Sequence, residues 1–445
     1  MSTLVREPPA ASPKNGSPRT SQRARILIAL LAALLLLVVV IAAFAAPVPQ
    51  LIGTGLLLLA LVVVALLLAG VLLIAALSAA VPGWQVGVAR WLRRAGSFAL
   101  ALAFILVSLG GVALGSQVHA TTAQILGRDG QPLPGSIATL EQVTLNGSQQ
   151  WITIRGTNTR NPVLLFLMGG PGAGGFPDQG FLAPLEKHFV VVNWDQPGTG
   201  KSYGAVERSK LTPQRYVDDA YALTQLLRAR FHQDKIYTLG SSWGSILGIM
   251  LVQQHPDLFY AYVGHGQMVN TTENDVMGYR FALRYAAEHG NTAAVATLKR
   301  NGPPPYTGDG MQWKYTDYMD TLQDYMGQPG MKTLVALMPQ IASEYGLVDR
   351  VNFVRGFIET FTTIYPQLRD LDFTRTASRL DVPVYFLAGR ADVNAMSLLT
   401  ERYYNTLQAP HKELIWFTSG HSMTDADTGQ FVDVMVNHVL KQTQR

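Results

Sequence analysis

The chain has 445 residues and no cysteine, and its 35 Lys and Arg against 30 Asp and Glu give a formal net charge of +5. The missing cysteine excludes disulfides, thiolate catalysis and cysteine-ligated metals. The positive charge belongs to residues 1–116, which carry +7, whereas the remainder carries −2. Because those basic residues flank apolar segments, the sequence does not predict a nucleic-acid-binding protein. The length predicts at least two structural units.

Residues 1–115 have the composition of a tail followed by membrane-spanning helices. Residues 1–25 are rich in Pro, Ser and Arg and are predicted to be a disordered cytoplasmic tail. Apolar segments follow at 26–46, 51–81 and 98–114. Since about 20 apolar residues cross a bilayer as a helix, the region 26–115 is predicted to contain about three transmembrane helices. A cleaved signal peptide would leave the second and third segments without an explanation.

The arginines and lysines predict the orientation of these helices. The tail carries five basic residues and the loop 84–96 carries three, whereas the turn 47–50 carries none. Basic loops stay on the cytoplasmic side, so the sequence predicts a multi-pass protein of the cell membrane whose remaining residues are extracytoplasmic. If the short third segment does not span the bilayer, these residues would be cytoplasmic instead.

Beyond a linker at 116–140, the pattern predicts alternating strands and helices. This alternation is typical of a mainly parallel sheet with helices on both faces, here formed by residues 141–269 and 376–445. Residues 270–375 interrupt it and are predicted to form an inserted helical cap, whose aromatic residues belong to the cap's own core more readily than to a substrate site. Predicted strands are 142–145, 150–154, 163–167, 189–194, 235–239, 261–264, 382–387 and 414–417, and predicted helices are 212–230, 243–254, 396–407 and 429–441.

The segment Gly240-Ser241-Ser242-Trp243-Gly244 fits the G-x-S-x-G pattern of a nucleophile elbow. An apolar strand precedes it and a helix follows it, which is the context that the elbow requires. A serine hydroxyl becomes a nucleophile when a strained turn exposes it beside a base. Ser242 is therefore the predicted nucleophile, and a simple helix N-cap is the alternative interpretation.

The base and its orienting acid are expected later in the chain, in the order serine, acid, histidine. His421 lies on the loop after the last predicted strand, whereas His411 precedes that strand and His438 lies in the final helix. Asp392 follows the strand 382–387, and Asp381 lies at the opposite edge of the sheet. The predicted triad is Ser242, Asp392 and His421, with Asp392 holding the imidazole in one tautomer.

The glycine-rich turn Met168-Gly169-Gly170-Pro171-Gly172 follows a buried strand, where backbone N–H groups can stabilise a developing oxyanion. We predict Gly170 and Trp243 as the two donors and Gly169 as a residue that shapes the turn. A tight turn without a catalytic role is the alternative. The later segment Gly198–Ser202 resembles a phosphate-binding loop, but Asp195 occupies the position of its first glycine. No nucleotide, metal or other cofactor is predicted.

Taken together, these motifs resemble the proline iminopeptidase group of the α/β-hydrolases over residues 141–442. The resemblance implies the α/β-hydrolase fold with a helical cap and a serine hydrolase, with aminopeptidase activity as one outcome. It rests on an ordered set of segments: Gly169-Gly170-Pro171-Gly172, Asp195-Gln196-Pro197-Gly198-Thr199-Gly200-Lys201-Ser202, the pentapeptide around Ser242, Gly389-Arg390-Ala391-Asp392 and Gly420-His421.

Two departures from that family concern the substrate. Met168 stands where the family usually has histidine, and Pro197 stands where it usually has arginine. The family's acidic residues for a free amino terminus have no motif match here, and Glu273, Glu344 and Glu359 are loose candidates. Glu273 is nearest by chain position, but the pattern favours the alternative that it is a solvated glutamate in the first turn of a cap helix. The expected substrate is a small peptide or an ester. An esterase with the same triad and a non-catalytic membrane receptor on a hydrolase fold remain alternatives, whereas Ser242 disfavours an epoxide hydrolase.

Overall fold

The computed structural model describes residue 105 and residues 107–443, and the chain divides into two compact units, Met1–Leu114 and Gly115–Arg445. In the first unit, residues 105 and 107–114 are helical. The predicted tail, the first two apolar segments and most of the third lie outside the described residues. Among the helices that are described, none combines the length and the apolar character that crossing a bilayer requires.

The second unit is built on an eight-stranded sheet with the order β1-β2-β4-β3-β5-β6-β7-β8. The pairs β1–β2 and β2–β4 are antiparallel, and all the others are parallel. This confirms the predicted mainly parallel sheet, with strands that are mostly longer than predicted. The strands are β1 Ile137–Leu145, β2 Ser148–Gly156, β3 Val163–Leu167, β4 Val190–Asp195, β5 Ile236–Ser241, β6 Phe259–His265, β7 Val384–Gly389 and β8 Lys412–Phe417.

Helices cover both faces of the sheet and fill the segment between β6 and β7. Among the described residues of this unit, a π-helical segment Val434–Leu440 separates the last two α-helices. The α-helices are α1 Gln179–Leu182, α2 Pro213–Phe231, α3 Trp243–Gln254, α4 Thr271–Glu288, α5 Thr292–Asn301, α6 Met311–Tyr325, α7 Met331–Ile341, α8 Leu347–Ile364, α9 Phe373–Thr376, α10 Ser397–Thr406, α11 Thr428–Asp433 and α12 Lys441–Thr443.

Local sequence signals explain several of these boundaries. The β1–β2 hairpin turns at Asn146 and Gly147, which both have positive φ, as a two-residue hairpin turn of this kind requires. Thr212 caps α2 by accepting a hydrogen bond from the Arg215 N–H, and Pro213 occupies the first helical turn, where no backbone donor is needed. Helix α2 ends at His232 in the left-handed conformation.

The strands bury alternate side chains on opposite faces of the sheet. In β3, Val163, Leu165 and Leu167 join one apolar cluster, and Leu164 and Phe166 join the other. All five are essentially inaccessible to solvent. Because neighbouring residues of a strand point to opposite faces, a continuous apolar run such as this one requires cover on both sides. The fold supplies it on one face with helices α2, α3 and α10, and on the other face with α11 and the π-helical segment Val434–Leu440 among others.

Helices α4 to α9 form the cap, and its core is aromatic. Tyr306, Tyr315 and Tyr318 are buried, whereas Trp313 and Tyr325 are half-exposed. The interpretation of these aromatic residues as cap core is therefore confirmed for the first three.

Near them lies Asp275, which accepts hydrogen bonds from the hydroxyls of Tyr318, at 3.3 Å, and Tyr365, at 2.7 Å. Burial raises the pKa of Asp275 to about 6, and the tyrosine hydrogen bonds oppose that rise.

Candidate active site

Ser242 lies on the sharp turn between β5 and α3. Its φ of 52° and ψ of −118° are a conformation that a residue with a side chain rarely adopts. The Ser242 N–H donates to the carbonyl of His265 at the end of β6, at 2.9 Å, and the Ser242 carbonyl accepts from the Ser245 hydroxyl. Both hydrogen bonds stabilise the turn. The dihedral angles of Ser242 show that the strained geometry predicted from the pentapeptide is present.

The two glycines of the pentapeptide are required by close backbone contacts. A Cβ on Gly240 would come within 2.3 Å of the Gly244 carbonyl oxygen. A Cβ on Gly244 would come within 1.8 Å of the Leu167 carbonyl oxygen. Neither contact can be relieved by a side-chain rotation, because both involve backbone atoms. The pattern G-x-S-x-G thus lets α3 pack directly against β3 and β5.

His421 and Asp392 form a hydrogen-bonded pair, with 2.9 Å between His421 Nδ1 and Asp392 Oδ2. The other carboxylate oxygen, Oδ1, accepts the backbone N–H groups of Asn394 and Ala395, each at 2.9 Å. The buried carboxylate is therefore held in one orientation. Since Nδ1 is occupied by Asp392, Nε2 is the nitrogen left to act toward the cavity.

Opposing effects act on the His421 imidazole. Burial lowers its pKa, but the negative charge of Asp392 and the hydrogen bond to it raise the pKa, and the net shift is upward from 6.5.

The other two candidate histidines contact Glu413 on the surface, with side chains 44% exposed for His411 and 40% exposed for His438. The prediction that they are ordinary surface residues is confirmed.

The turn after β3 lies against the nucleophile elbow. A Cβ on Gly169 would come within 3.2 Å of Ser242 Cβ. Gly170 has φ of +128°, where a side chain would be strained and would also meet the Gly172 nitrogen at 2.7 Å. Trp243 is the first residue of α3, and the first N–H groups of a helix have no partner within it. The structure thus brings Gly169, Gly170 and Trp243 together beside Ser242.

Gln196 connects this turn to the elbow. Its Oε1 accepts from the Trp243 indole Nε1 at 2.9 Å, and its Nε2 donates to the Met168 carbonyl at 3.1 Å. The side chain is buried, with an exposed fraction of 2%. Buried polar groups that satisfy each other in this way fix the relative position of the segments that carry them.

The segment that resembles a phosphate-binding loop has a different use in the fold. Asp195 accepts hydrogen bonds from the Gly175 and Lys201 N–H groups and from the Tyr345 hydroxyl. Burial raises the pKa of Asp195 to about 7, although these bonds lower it. Lys201 Nζ is paired with Asp349 of α8 at 2.7 Å, and both side chains are 6% exposed. The loop therefore ties the cap to the sheet.

These residues surround a cavity of about 270 Å³ between the sheet and the cap. Gly169, Gly170, Ser242, Trp243 and His421 all line it, and Asp392 adjoins it through His421. Most of the remaining wall is apolar and comes from Phe and Met side chains of both layers. The arrangement can place a carbonyl carbon between a serine hydroxyl, an imidazole and backbone donors.

The polar residues of this wall that sequence reasoning missed include Asp178 and His265, besides the amides Asn274, Gln323 and Asn394. His265 ends β6, and the carboxyl edge of a parallel sheet is where ligands bind, so its position was a usable signal. Its Nδ1 lies 3.0 Å from the Ser241 hydroxyl. Burial, followed by the charge of His421, lowers the pKa of His265 to about 4, although Asp392 and Asp427 oppose this. Within the described part of the chain, no group of three or more histidine or acidic side chains could hold a metal ion.

For Glu273 the structure agrees with the alternative interpretation, a solvated glutamate in the first turn of a cap helix, and not with a place in the cavity. Glu273 accepts a hydrogen bond from Arg402 Nη1 at 2.7 Å, its side chain is 39% exposed, and it is not among the described residues that line the cavity. It lies in the first turn of α4, where an acidic side chain stabilises the helix terminus. Glu344 and Glu359 do not line the cavity either, and Glu359 pairs with Arg208 and Arg355.

Comparisons with known proteins agree with this architecture. Residues 162–299 match the family of the α/β hydrolase fold. "Probable aminopeptidase YbaC" of Bacillus subtilis (strain 168) is 30% identical over 315 residues, which are 69% of this chain and 98% of that protein. The chain belongs to the α/β-hydrolase family. A proline iminopeptidase of Lactobacillus crispatus is 22% identical over 65% of this chain and 94% of its own length.

Among solved structures, the fold is also found in proline iminopeptidase of Mycobacterium smegmatis. That crystal structure gives a TM-score of 0.50 at 16% identity, over 68% of this α/β-hydrolase chain and 99% of the other. At this identity the likeness concerns the fold alone. The matched part extends over nearly the whole length of that protein.

Proposed function

We propose that this protein is a serine hydrolase that transfers an acyl group through Ser242, His421 and Asp392. The observation that carries the proposal is their arrangement. Ser242 is exposed to the cavity on a strained elbow, and His421, which lines the same cavity, has its other ring nitrogen held by Asp392. Nucleophile, base and orienting acid are the parts that acyl transfer through serine requires.

The chemistry follows from these positions. Ser242 Oγ attacks the substrate carbonyl carbon while His421 Nε2 takes the hydroxyl proton, and the carbonyl π-electrons move to oxygen. The Gly170 and Trp243 N–H groups stabilise that oxyanion. The intermediate collapses with cleavage of the bond to the leaving group, which receives the proton from His421. A water molecule, deprotonated by the same histidine, then releases the acyl group as a carboxylic acid and restores Ser242.

The substrate class proposed first is a small peptide or amide with a free amino terminus. Two relatives that are similar over nearly their whole length bear the names of an aminopeptidase and a proline iminopeptidase. An esterase is the second candidate, favoured by the apolar wall of the cavity, in which Phe and Met side chains predominate. Both candidates use the same triad and differ only in the group that the cavity recognises.

We also propose that residues 26–114 anchor the protein in the cell membrane, with the hydrolase unit on the extracytoplasmic side. The support is the sequence pattern, namely three apolar segments and basic residues confined to the tail and the loop 84–96. Basic loops are retained in the cytoplasm.

Covalent labelling and turnover test the hydrolase proposal. A fluorophosphonate probe should label the protein at Ser242, and Ser242→Ala should abolish both labelling and hydrolysis. Ser209→Ala, at an exposed serine outside the cavity, is the matched control and should retain both. His421→Ala should be nearly as damaging as Ser242→Ala, because members of a triad act as a unit. Full activity of Ser242→Ala would refute the proposal, and a wild type that is never labelled would favour a non-catalytic receptor.

A further inference from the structure

Asp178 is an acidic residue in the wall of the active-site cavity for which the mechanism above has no use. It ends the short 3-10 turn Phe176–Asp178, six residues after the glycine turn that adjoins Ser242. It lines the cavity. Among the described residues, its carboxylate has neither a hydrogen-bond partner nor an ion-pair partner. No lysine or arginine lines this cavity within the described part of the chain.

A carboxylate in such a place is costly unless something pairs with it. Burying an ionised group without a partner is unfavourable, so proteins pair or neutralise such groups. Asp178 is only partly exposed to solvent, and burial raises its pKa to about 7 with no hydrogen bond or opposite charge of the protein acting against that rise. A cationic ligand in the cavity would supply it and would favour the ionised form of the carboxyl.

The position of Asp178 is fixed relative to the reacting groups. The loop that carries it is clamped, because the Gly175 N–H donates to Asp195 Oδ1 at 3.0 Å and the Asn193 amide donates to the Gly175 carbonyl at 2.5 Å. A Cβ on Gly172 would come within 2.3 Å of the Gly356 carbonyl oxygen of α8, so the loop also packs closely on the cap. One rigid segment therefore holds both Gly170 and Asp178.

The other residues that line the cavity indicate which chemical group a cationic ligand would carry beside its charge. Helix α7 of the cap packs against the turn that contains Asp178. The described apolar residues that line the cavity include Phe181, Met331, Leu334, Phe353 and Phe357. An apolar surface with one acidic group is complementary to a ligand that has one positive charge beside an apolar side chain.

We infer that Asp178 binds the protonated amine at the free amino terminus of the substrate, and that the apolar wall accepts the side chain of its first residue. This inference rests on the proposed function and assigns to Asp178 the role expected for Glu273. It names the substrate class as peptides or amides with an apolar first residue and an unblocked amine. Blocking that amine removes the charge that Asp178 pairs with and adds an acyl group at the same place.

Binding to an inactive variant tests the inference separately from catalysis. In the Ser242→Ala protein, calorimetry should detect leucyl-alaninamide and find its N-acetylated form weaker. Adding Asp178→Asn should weaken the free-amine probe roughly 10- to 100-fold, as expected when a hydrogen bond to a charged group is lost, and should leave the acetylated probe unchanged. Adding Glu273→Gln instead, a matched carboxyl-to-amide change outside the cavity, should leave both probes unchanged.

Kinetics of the active protein provide the second measurement. Asp178→Asn should raise KM for leucine 4-nitroanilide by a similar factor and spare 4-nitrophenyl butyrate, with an unchanged Tm that shows intact folding. Equal binding of the free-amine probe by Ser242→Ala with and without Asp178→Asn would overturn the inference, and so would absence of binding to Ser242→Ala. Failure of the proposed function is seen separately, as absence of Ser242 labelling.

Discussion

Gly266 lies against the imidazole ring of His421, and a Cβ at position 266 would come within 2.9 Å of His421 Cε1 and 3.1 Å of Nδ1. Asp392 Oδ2 would lie 3.6 Å from that added Cβ. The residue after β6 therefore forms the surface on which the histidine–aspartate pair rests. Its φ of +51° also belongs to the region that glycine adopts most readily.

From this contact we expect Gly266→Ala to displace His421. The methyl group meets the ring rather than open space, so kcat and the rate of fluorophosphonate labelling should both fall strongly. Gly290→Ala is the matched control, because Gly290 has φ of +67° with no atom within 4 Å of a built Cβ. Both variants should lose about 1 kcal/mol of unfolding free energy from backbone strain. Equal activity of the two variants would show that the contact is irrelevant.

The raised pKa of His421 predicts the acid limb of the pH–rate profile. The neutral imidazole is the base, and a higher pKa keeps the ring protonated to a higher pH. Activity should therefore be lost as the pH falls through a midpoint above 6.5. In Asp392→Asn the charge that raises the pKa is gone, so the midpoint should move to lower pH while kcat falls by roughly 10³- to 10⁴-fold. A midpoint that does not move would contradict the assignment of Asp392.

Gln196 is expected to act on catalysis only through Trp243 and Met168. Gln196→Leu leaves the Trp243 indole N–H and the Met168 carbonyl without their partner and lets the elbow and the glycine turn shift. We expect kcat to fall roughly 10- to 100-fold, less than for removal of an oxyanion donor, with KM little changed. Gln254→Leu, which removes an exposed amide contact to Gln214, should have no effect. A pure loss of stability with normal kcat would contradict this role.

The buried pair between Lys201 and Asp349 should be visible in stability. Lys201→Met leaves the Asp349 carboxylate buried without its cation, which should lower the free energy of unfolding by roughly 3–5 kcal/mol. Lys210→Met removes an exposed pair with Glu207 and should change it little. Urea unfolding of the two variants measures the difference. Similar stability of both would mean that the pair does not tie the cap to the sheet.

Fusions of alkaline phosphatase test the proposed topology. The enzyme becomes active only where its disulfides form, outside the cytoplasm. A fusion after residue 125 should therefore be active and one near Arg90 should be silent. Silence of both fusions would mean that the segment 98–114 does not span the bilayer and that the hydrolase unit is cytoplasmic. An active fusion near Arg90 with a silent one after residue 125 would mean that the orientation is the opposite of the one proposed.

The sequence determined those features that depend on the backbone close to the residues concerned. A buried strand before Gly240-Ser241-Ser242-Trp243-Gly244 and a helix after it predict the elbow, because the strain and the glycine contacts arise within one strand–turn–helix unit. Asp392 and His421 were predictable for a related reason. Each follows a parallel strand, and the carboxyl ends of such strands meet at one edge of the sheet.

What only the tertiary structure decided is which side chains share the cavity. Glu273 was nearest by chain position, yet α4 directs it toward Arg402, whereas Asp178 lies in a turn whose Pro-Asp sequence is ordinary for a loop. The reason for glycine at position 266 is likewise visible only in the folded chain, where a Cβ at that position would meet the His421 ring. These contacts depend on how the cap helices and distant loops pack on the sheet. Packing of that kind joins residues far apart in the chain, so no local pattern encodes it.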